Sequence, residues 1–346
     1  MTGDLPHGDV IDSVSKLEAV TGRTPPAMHL KAIDHLDEGA LLWLAHSPLA
    51  FVGLDSGLDA ANASVIATIG GGAPGFVSGE ARRLRIPLAS LDHAEPLAVG
   101  ASFGSLFLIP GIREALRING RVEAVDSDHL HVVVEECYGH CAKAIIRSDL
   151  WAVQPCNVPT DLAAFVAVSR FLALATVSAG GQADLSPKGD PAGCMAMLDG
   201  DRLWFADRPG NRRVDSFRNI VEQAQTGIVL LGPGTTHALT AQGPARLTTD
   251  LTIRERFATQ GKTPLLAIEL SVETMALHAS RALRRASPWP MRQTSDIDAT
   301  KLFMGHIKLN KGGGVGAMLA RASLLVPGMT GLLKKGVEKD YKDNLY

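Results

Sequence analysis

The sequence predicts a mostly β protein, in which each half of the chain forms a β-barrel with flanking helices. Three observations support this prediction. The chain has many short apolar runs that end at glycine- and proline-containing turns, it has few stretches with helical periodicity, and it repeats itself weakly. With 346 residues the chain exceeds one compact core, so two domains of about 150 residues each are expected.

The composition excludes several classes of protein. Hydrophobic residues make up 46% and charged residues 20%, which is typical of an ordered globular protein. The net charge of −2 lacks the basic excess of a general nucleic-acid binder. The N-terminus shows no secretory signal, and no apolar run is long enough for a membrane span. We therefore expect a cytoplasmic protein that binds neither nucleic acid nor membrane.

The cysteines do not predict a metal site. Four cysteines in a chain of this length form no disulfide framework. Cys137 and Cys141 flank His140, but a zinc pair usually has a shorter spacing, and no second ligand pair follows. We expect Cys141 to be a small buried apolar residue and expect no bound metal.

An internal repeat organises the chain. Gly104–Leu116 and Gly227–Leu239 are both apolar runs followed by a Pro-Gly turn and a second run that ends in Ala-Leu. His140–Trp151 and His278–Trp289 share histidine, a basic residue, alanine, arginine and tryptophan in register. The second pair is spaced more widely, so the second copy contains an insertion before this element, and we expect the insertion to include Leu251–Thr263.

Local patterns predict the individual elements. Apolar runs next to turn residues indicate strands, and one-sided apolar spacing indicates helices. The predicted strands cover residues 106–109, 115–118, 131–135, 171–177, 183–186, 202–206 and 229–231. The predicted helices cover residues 10–20, 27–36 and 215–225.

Two neighbouring segments carry the clearest chemical signal. Ser186–Gly193 is a strand end with glycines, prolines and one lysine, and Asp207–Asn219 places Arg208, Arg212 and Arg213 around a Pro-Gly turn before a helix. Guanidinium groups and helix-start N–H groups suit a phosphate. The alternative is a solvated basic turn that caps a helix, and the residues alone favour the two interpretations about equally.

These motifs closely resemble a subgroup of the pyridoxamine 5′-phosphate oxidase-like flavoproteins. The resemblance covers SPKGDPAG at Ser186–Gly193, DRPGNRR at Asp207–Arg213, and the HCAKAIIRSDLW element at His140–Trp151. The chain departs from the family at Ala206, where the family has proline. Members of the family are split-barrel homodimers that bind FMN across the subunit interface. The resemblance therefore implies two FMN-binding split barrels arranged as an intramolecular pseudo-dimer.

The resemblance also implies the cofactor-binding residues. One group is expected to hold the FMN phosphate and ribityl chain: Lys188, Arg208, Asn211, Arg212, Arg213 and Ser216. Backbone groups of Ser186, Gly189 and Asp190 are expected to face the isoalloxazine ring.

The two copies lack different parts of this site. The second copy keeps the phosphate segment, but its last element has lost the cysteine and the lysine. The first copy keeps His140, Lys143 and Arg147, whereas its counterpart of the phosphate strand, Ala67–Phe76, has no lysine. We therefore expect one FMN per chain, with His140, Lys143, Arg147 and Trp151 on the wall opposite the phosphate cradle. Lys143 and Arg147 share a face whether their segment is a helix or a strand, and a structural role for His140 is equally open.

The expected function is that of an FMN-dependent oxidoreductase acting on a small anionic or polar molecule. No catalytic residue can be named, because no nucleophile–base pair is visible. A flavin-binding electron carrier, a haem-binding split barrel with His140 or His278 as axial ligand, and a deazaflavin-dependent reductase remain alternatives. The expected domains are residues 1–155, residues 156–290 and an extension at 291–346. Pairing of two chains into a homodimer stays open.

Overall fold

A computed structural model of the chain confirms a mostly β fold with two antiparallel sheets and several helices. It describes residues 9–25, 31–55, 64–94, 97–152, 158–159, 161–210, 213–291, 297–310 and 329–346. None of the helices in these ranges combines the length and the apolar character needed to cross a lipid bilayer.

The first sheet is formed by the N-terminal half and has seven strands. They are β2 (Leu49–Asp55), β3 (Val65–Gly71), β4 (Ser78–Glu80), β5 (Arg83–Pro87), β6 (Ser102–Leu108), β7 (Ala115–Val125) and β8 (His129–His140). Their order across the sheet is β3-β2-β6-β7-β8-β5-β4.

The second sheet has nine strands. They are β1 (Val10–Ile11), β9 (Phe171–Val177), β10 (Ala183–Gly189), β11 (Ala196–Asp199), β12 (Arg202–Ala206), β13 (Gln225–Leu231), β14 (His237–Thr248), β15 (Ala267–Ser271) and β16 (Thr274–Ala279). The main order is β10-β9-β13-β14-β15-β12-β11, while β1 and β16 pair with β14. Position by position, the second sheet repeats the strand order of the first.

Nine α-helices surround the sheets in the described part of the chain. They are α1 (Val14–Thr21), α2 (Glu38–His46), α3 (Lys143–Ser148), α4 (Leu162–Val168), α5 (Asp215–Glu222), α6 (Leu251–Glu255), α7 (Arg281–Ala286), α8 (Ala299–Leu309) and α9 (Met329–Asp343). Side-chain caps fix several helix starts. For example, the Asp37 carboxylate accepts a hydrogen bond of 2.8 Å from the Ala40 backbone N–H in the first turn of α2.

The structure corrects two of the predicted helices. Lys31–Leu36 is not an α-helix; Ile33 instead exchanges two backbone hydrogen bonds with Cys137 at distances of 3.0 and 2.7 Å. Val10 and Ile11 form an edge strand on β14, and the helix begins only at Val14. In both places pairing with a neighbouring strand outweighs the local helical spacing, because the open strand edge offers backbone partners.

The predicted strands are present, and several are longer than predicted. β9 is buried along its whole length, which explains its uninterrupted apolar run. β8 runs over twelve residues in which buried and partly exposed positions largely alternate. Only its central part was predicted, because the sequence pattern weakens towards the ends.

One of the apolar clusters is shared by the two sheets. The ring centres of Phe51 on β2 and Phe171 on β9 lie 5.2 Å apart within this cluster, which contains residues of both halves. Helix α3 packs on β10, and helix α7 packs on β3. Each of these two strands passes close to its helix at a glycine. A Cβ atom on Gly189 or on Gly71 would come closer than 3.0 Å to the backbone of the opposing helix.

Buried charges also connect the halves. Arg117 on β7 forms an ion pair of 2.8 Å with Asp184 on β10, and both side chains are almost fully buried. Arg213, which precedes α5, forms an ion pair of 2.8 Å with Glu136 on β8. Charges removed from water are stable only when they are paired, so these contacts help to fix the relative position of the two sheets.

Candidate functional site

A cavity of about 400 Å³ lies between the two sheets and is lined by residues of both halves. We call it the inter-sheet cavity. The first half contributes His140, Cys141, Lys143, Ala144 and Arg147. The second half contributes Ser186, Pro187, Lys188, Asp207, Arg208, Pro209, Gly210, Arg213, Val214, Phe217, Lys262, Thr263, Pro264 and Leu265, and Thr21 and Tyr346 complete the lining. Seven residues predicted for one binding site therefore meet at one cavity.

Helix α3 provides the wall on the side of the first half. Lys143 and Arg147 lie one helical turn apart and both are buried. The Arg147 guanidinium donates hydrogen bonds to the carbonyl oxygens of Gly189, Pro209 and Leu345, at distances of 3.0, 3.0 and 2.8 Å. Burial lowers the pKa of Arg147 from its usual value. This side chain ties the α3 wall to β10 and to the turn that follows Arg208.

Lys188 and Arg208 form the opposite wall. The Lys188 ammonium lies 3.1 Å from the Asp207 carboxylate and 4.1 Å from the centre of the Phe217 ring. The Arg208 guanidinium makes a buried ion pair of 2.6 Å with Asp190 and donates a bond of 2.7 Å to the Phe257 carbonyl. Burial raises the pKa of Asp190, although Arg208 acts in the other direction.

Arg213 closes one end of the cavity. Its guanidinium contacts the carboxylates of Glu136 and Asp215 and lies 4.2 Å from the centre of the Tyr138 ring. Burial alone would lower the pKa of Arg213, but Tyr138, Glu136 and Asp215 together raise it. Arg213 therefore remains a cation under all ordinary conditions.

Three of the predicted cofactor-binding residues lie behind the cavity wall, and two lie outside the residues that the structure describes. Gly189 packs against Ala144 and offers its carbonyl to Arg147, while Asp190 holds Arg208. Ser216 is buried in the first turn of α5. Asn211 and Arg212 lie outside the described residues.

Three of the cavity residues that sequence reasoning missed carry a charge or an aromatic ring. Lys262 belongs to the predicted insertion, Tyr346 belongs to the C-terminal extension, and Phe217 was noted only as an apolar helix position. Lys262 and Tyr346 reach the cavity through contacts between distant parts of the chain. No local sequence motif predicts that these two residues line the cavity.

The cavity favours an anionic ligand. Among the described side chains that line it, six are cations (Lys143, Arg147, Lys188, Arg208, Arg213 and Lys262), and Asp207 is the one carboxylate. The carboxylates of Asp190, Glu136 and Asp215 stand behind Arg208 and Arg213 as partners. They orient the cations, so that an anion would meet a preformed set of donors.

His140 is a neutral polar group in the wall of the cavity. Burial, reinforced by Arg117, lowers the pKa of His140 from 6.5 to about 3. Its Nδ1 atom lies 3.3 Å from the Cys141 carbonyl oxygen. Because a carbonyl only accepts, this contact places the proton on Nδ1 and leaves Nε2 as an acceptor.

The lowered pKa of His140 predicts a specific acid response. In the unfolded chain this histidine gains a proton below about pH 6.5, whereas the folded protein resists protonation down to about pH 3. The native state therefore loses stability as the pH falls through this window. We expect His140→Asn to lose less stability than the wild type between pH 6.5 and pH 4, as measured by urea unfolding at a series of pH values. Above pH 7 the difference between the two proteins should be constant, and a constant difference at every pH would contradict the prediction.

A second pocket of about 370 Å³ lies where α7 meets the first sheet. Its lining includes Asp92, His93, Arg281 and Arg285. In the internal repeat, Arg281 and Arg285 correspond to Lys143 and Arg147. No lysine is among the described residues that line this pocket, and Asp92 accepts hydrogen bonds from Ser280 and from the backbone of Ala282. The second pocket and the inter-sheet cavity are thus related by the internal repeat, but the side chains that line them differ in chemistry.

Comparison with known proteins finds a family match in the second half of the chain. Residues 158–279 match the family model described as pyridoxamine 5′-phosphate oxidase. A split-barrel domain of the pyridoxamine 5′-phosphate oxidase-like family thus lies at residues 158–279, the segment that holds Lys188, Arg208 and Arg213. The match covers about a third of the chain and does not extend to the first sheet. None of the curated proteins compared with the chain matches it.

Solved structures with similarity to this chain include three bacterial proteins. A HupZ variant of Group A Streptococcus is 15% identical, covers 35% of this chain and 100% of its own, and has a TM-score of 0.29. A putative pyridoxamine 5′-phosphate oxidase of Lactobacillus delbrueckii is 20% identical, covers 35% and 96%, and has a TM-score of 0.28. HutZ, the haem storage protein of Vibrio cholerae, is 16% identical, covers 32% and 85%, and has a TM-score of 0.22.

Proposed function

We propose that this protein is an FMN-dependent oxidoreductase that binds one flavin in the inter-sheet cavity. In this proposal residues 156–290 form the split barrel with the phosphate cradle, and residues 1–155 form a degenerate second copy. The two copies make an intramolecular pseudo-dimer, and residues 291–346 are an extension. The observation that carries the proposal is the convergence of cations from both sheets on one cavity.

The residues present fit a phosphate-bearing flavin. The cavity volume of about 400 Å³ falls in the usual range for small-ligand sites. Lys188, Arg208 and Arg213 offer charged donors next to the start of α5, where backbone N–H groups also favour an anion. Pro187 and Phe217 add apolar surface for a planar ring. Each of the three cations already has a carboxylate partner, so a phosphate would share these cations with the protein.

Each part of the cavity has a role in this proposal. Lys188, Arg208 and Arg213 would hold the phosphate, and Asp190 keeps Arg208 in place. When bound, FMN supplies hydride transfer, while the protein supplies binding, orientation and electrostatics. The neutral His140 offers Nε2 as a hydrogen-bond acceptor, and Lys143 and Arg147 favour a small anionic or polar substrate.

The direct test is an absorption spectrum of the purified protein, with the released cofactor identified and counted. One FMN per chain supports the proposal. Two FMN per chain would contradict the single site. A protein that is colourless and also fails to take up added FMN would contradict the function itself.

Lys188→Gln should weaken FMN binding by about 10- to 100-fold, since a charge-assisted hydrogen bond contributes about 1.5–3 kcal/mol. The dissociation constant follows from the quenching of flavin fluorescence during titration. Lys16→Gln is the matched control, because Lys16 forms an exposed ion pair of 2.9 Å with Asp12 on the surface, whereas the Lys188–Asp207 pair of 3.1 Å is largely buried. Equal affinities of the two variants for FMN would show that Lys188 does not contribute to FMN binding.

Haem binding is the second candidate function, because His140 is neutral and lines the cavity. A neutral imidazole with a free Nε2 is a suitable axial ligand for iron. The spectrum separates the candidates: haem gives a Soret band that disappears in His140→Ala, whereas flavin absorption should survive this substitution.

A further inference from the structure

The C-terminal part of the chain lies directly on the inter-sheet cavity. We call residues 329–346, which comprise α9 and the three residues after it, the docked segment. The Asp340 carboxylate on α9 forms an ion pair of 2.9 Å with the ammonium of Lys143, a cavity residue. One residue further, the Tyr341 hydroxyl oxygen accepts a hydrogen bond of 3.2 Å from the Ala142 backbone N–H at the start of α3.

The end of the docked segment enters the cavity wall. Tyr346 is only 9% exposed, and its ring centre lies 6.0 Å from the Arg147 guanidinium and 5.7 Å from that of Arg208. Arg147 also donates a hydrogen bond of 2.8 Å to the Leu345 carbonyl, and Lys262 donates to the backbone oxygen of Tyr346. An aromatic ring between two guanidinium groups is a favourable arrangement.

The contacts of the docked segment coincide with the cationic groups of the site. Of the six cations that line the cavity, Lys143, Arg147, Arg208 and Lys262 each contact this segment. The segment offers what an anionic, planar ligand would offer: a carboxylate for a lysine, an aromatic ring for two arginines, and carbonyl oxygens for the remaining donors. Lys188 and Arg213 have their partners elsewhere in the protein.

We infer that the docked segment is an internal competitor of the anionic ligand, and that this ligand binds fully only when the segment moves away from Lys143, Arg147 and Arg208. The identity of the ligand as FMN rests on the proposed function. When a ligand needs a state that is only partly populated, its apparent affinity falls by the populated fraction. Substitutions that weaken docking should therefore tighten ligand binding.

The test compares FMN affinity in the full-length protein and in Asp340→Asn/Tyr346→Ala. The double variant loses the ion pair to Lys143 and the ring between the arginines, and we expect its dissociation constant to fall by roughly tenfold. Asp343→Asn is the matched control, because it removes the same charge from an exposed position on the same helix. It should bind FMN like the wild type. If the double variant binds FMN with unchanged or weaker affinity, the docked segment is no competitor, although the proposed function stands.

A second readout separates this inference from the proposed function. Lys143 is only 3% exposed, so amine acylation followed by peptide mass spectrometry should label it slowly in the wild type and faster in the double variant. If no protein binds FMN, the proposed function fails and labelling decides the inference. Faster labelling of the double variant then supports a docked segment that shields the cations from another anion. Equal labelling overturns the inference.

Discussion

Gly189→Ala should destabilise the protein by about 3 kcal/mol, since overpacking a rigid contact typically costs about 1–3 kcal/mol and here the obstacle is backbone. The new methyl group would come closer than 3.0 Å to the carbonyl of Ala144 on α3. Either α3 or β10 must then move, and both belong to the wall of the inter-sheet cavity. Urea unfolding at neutral pH measures the loss of stability directly.

The same substitution can be made at the equivalent contact. Gly71→Ala meets the backbone of Ala282 on α7 and should cost a similar amount. Gly336→Ala is the control, because a Cβ atom there meets nothing within 4 Å. In a helix this change should be neutral or stabilising by up to about 1 kcal/mol. If Gly189→Ala is as stable as Gly336→Ala, α3 does not pack closely on β10 at Gly189.

The second large effect concerns the buried ion pair between the sheets. Arg117→Met should lower the free energy of unfolding by about 3–5 kcal/mol, because it leaves the Asp184 carboxylate buried without its cation. Among the described residues, Asp184 would then retain the hydrogen bond of 2.8 Å from the Ser186 hydroxyl. Adding Asp184→Asn removes the stranded charge, so the double variant should recover part of the stability. Chemical denaturation of all three variants tests this order.

An exposed ion pair provides the comparison. Arg83 and Glu123 also lie 2.8 Å apart, but their side chains are 63% and 36% exposed. Arg83→Met should cost less than about 1 kcal/mol, as is usual for surface pairs. Equal losses for Arg117→Met and Arg83→Met would show that the inter-sheet pair is not buried in solution.

Local patterns accounted for the strands and for one wall of the site. Lys188, Arg208 and Arg213 belong to two short segments separated by one strand, so their proximity could be inferred from the sequence. The wall formed by α3 was expected because the first copy of the repeat keeps the residues that the second copy lacks. The first inference needs only motifs a few residues long, whereas the second needs the comparison of the two copies and the resemblance to the family.

The remaining features depend on contacts between distant segments. Ile33 pairs with Cys137, which no local spacing indicates, and the helix predicted there was therefore wrong. Glu136 neutralises Arg213 from the other sheet. Tyr346, three residues after α9, reaches Arg147 from outside the repeat. A single sequence contains no local signal for such pairs, because they arise only after the sheets and helices have packed.

The packing of α3 on β10 and of α7 on β3 determines how the inter-sheet cavity responds when the protein is diluted. A cavity built by two separate chains disappears when the protein concentration falls below the dissociation constant of the pair. Here both walls belong to one polypeptide, and a covalent link keeps them at an effective concentration on the order of millimolar. Formation of the cavity is therefore independent of how much protein is present, and a scarce protein would assemble its site as completely as an abundant one.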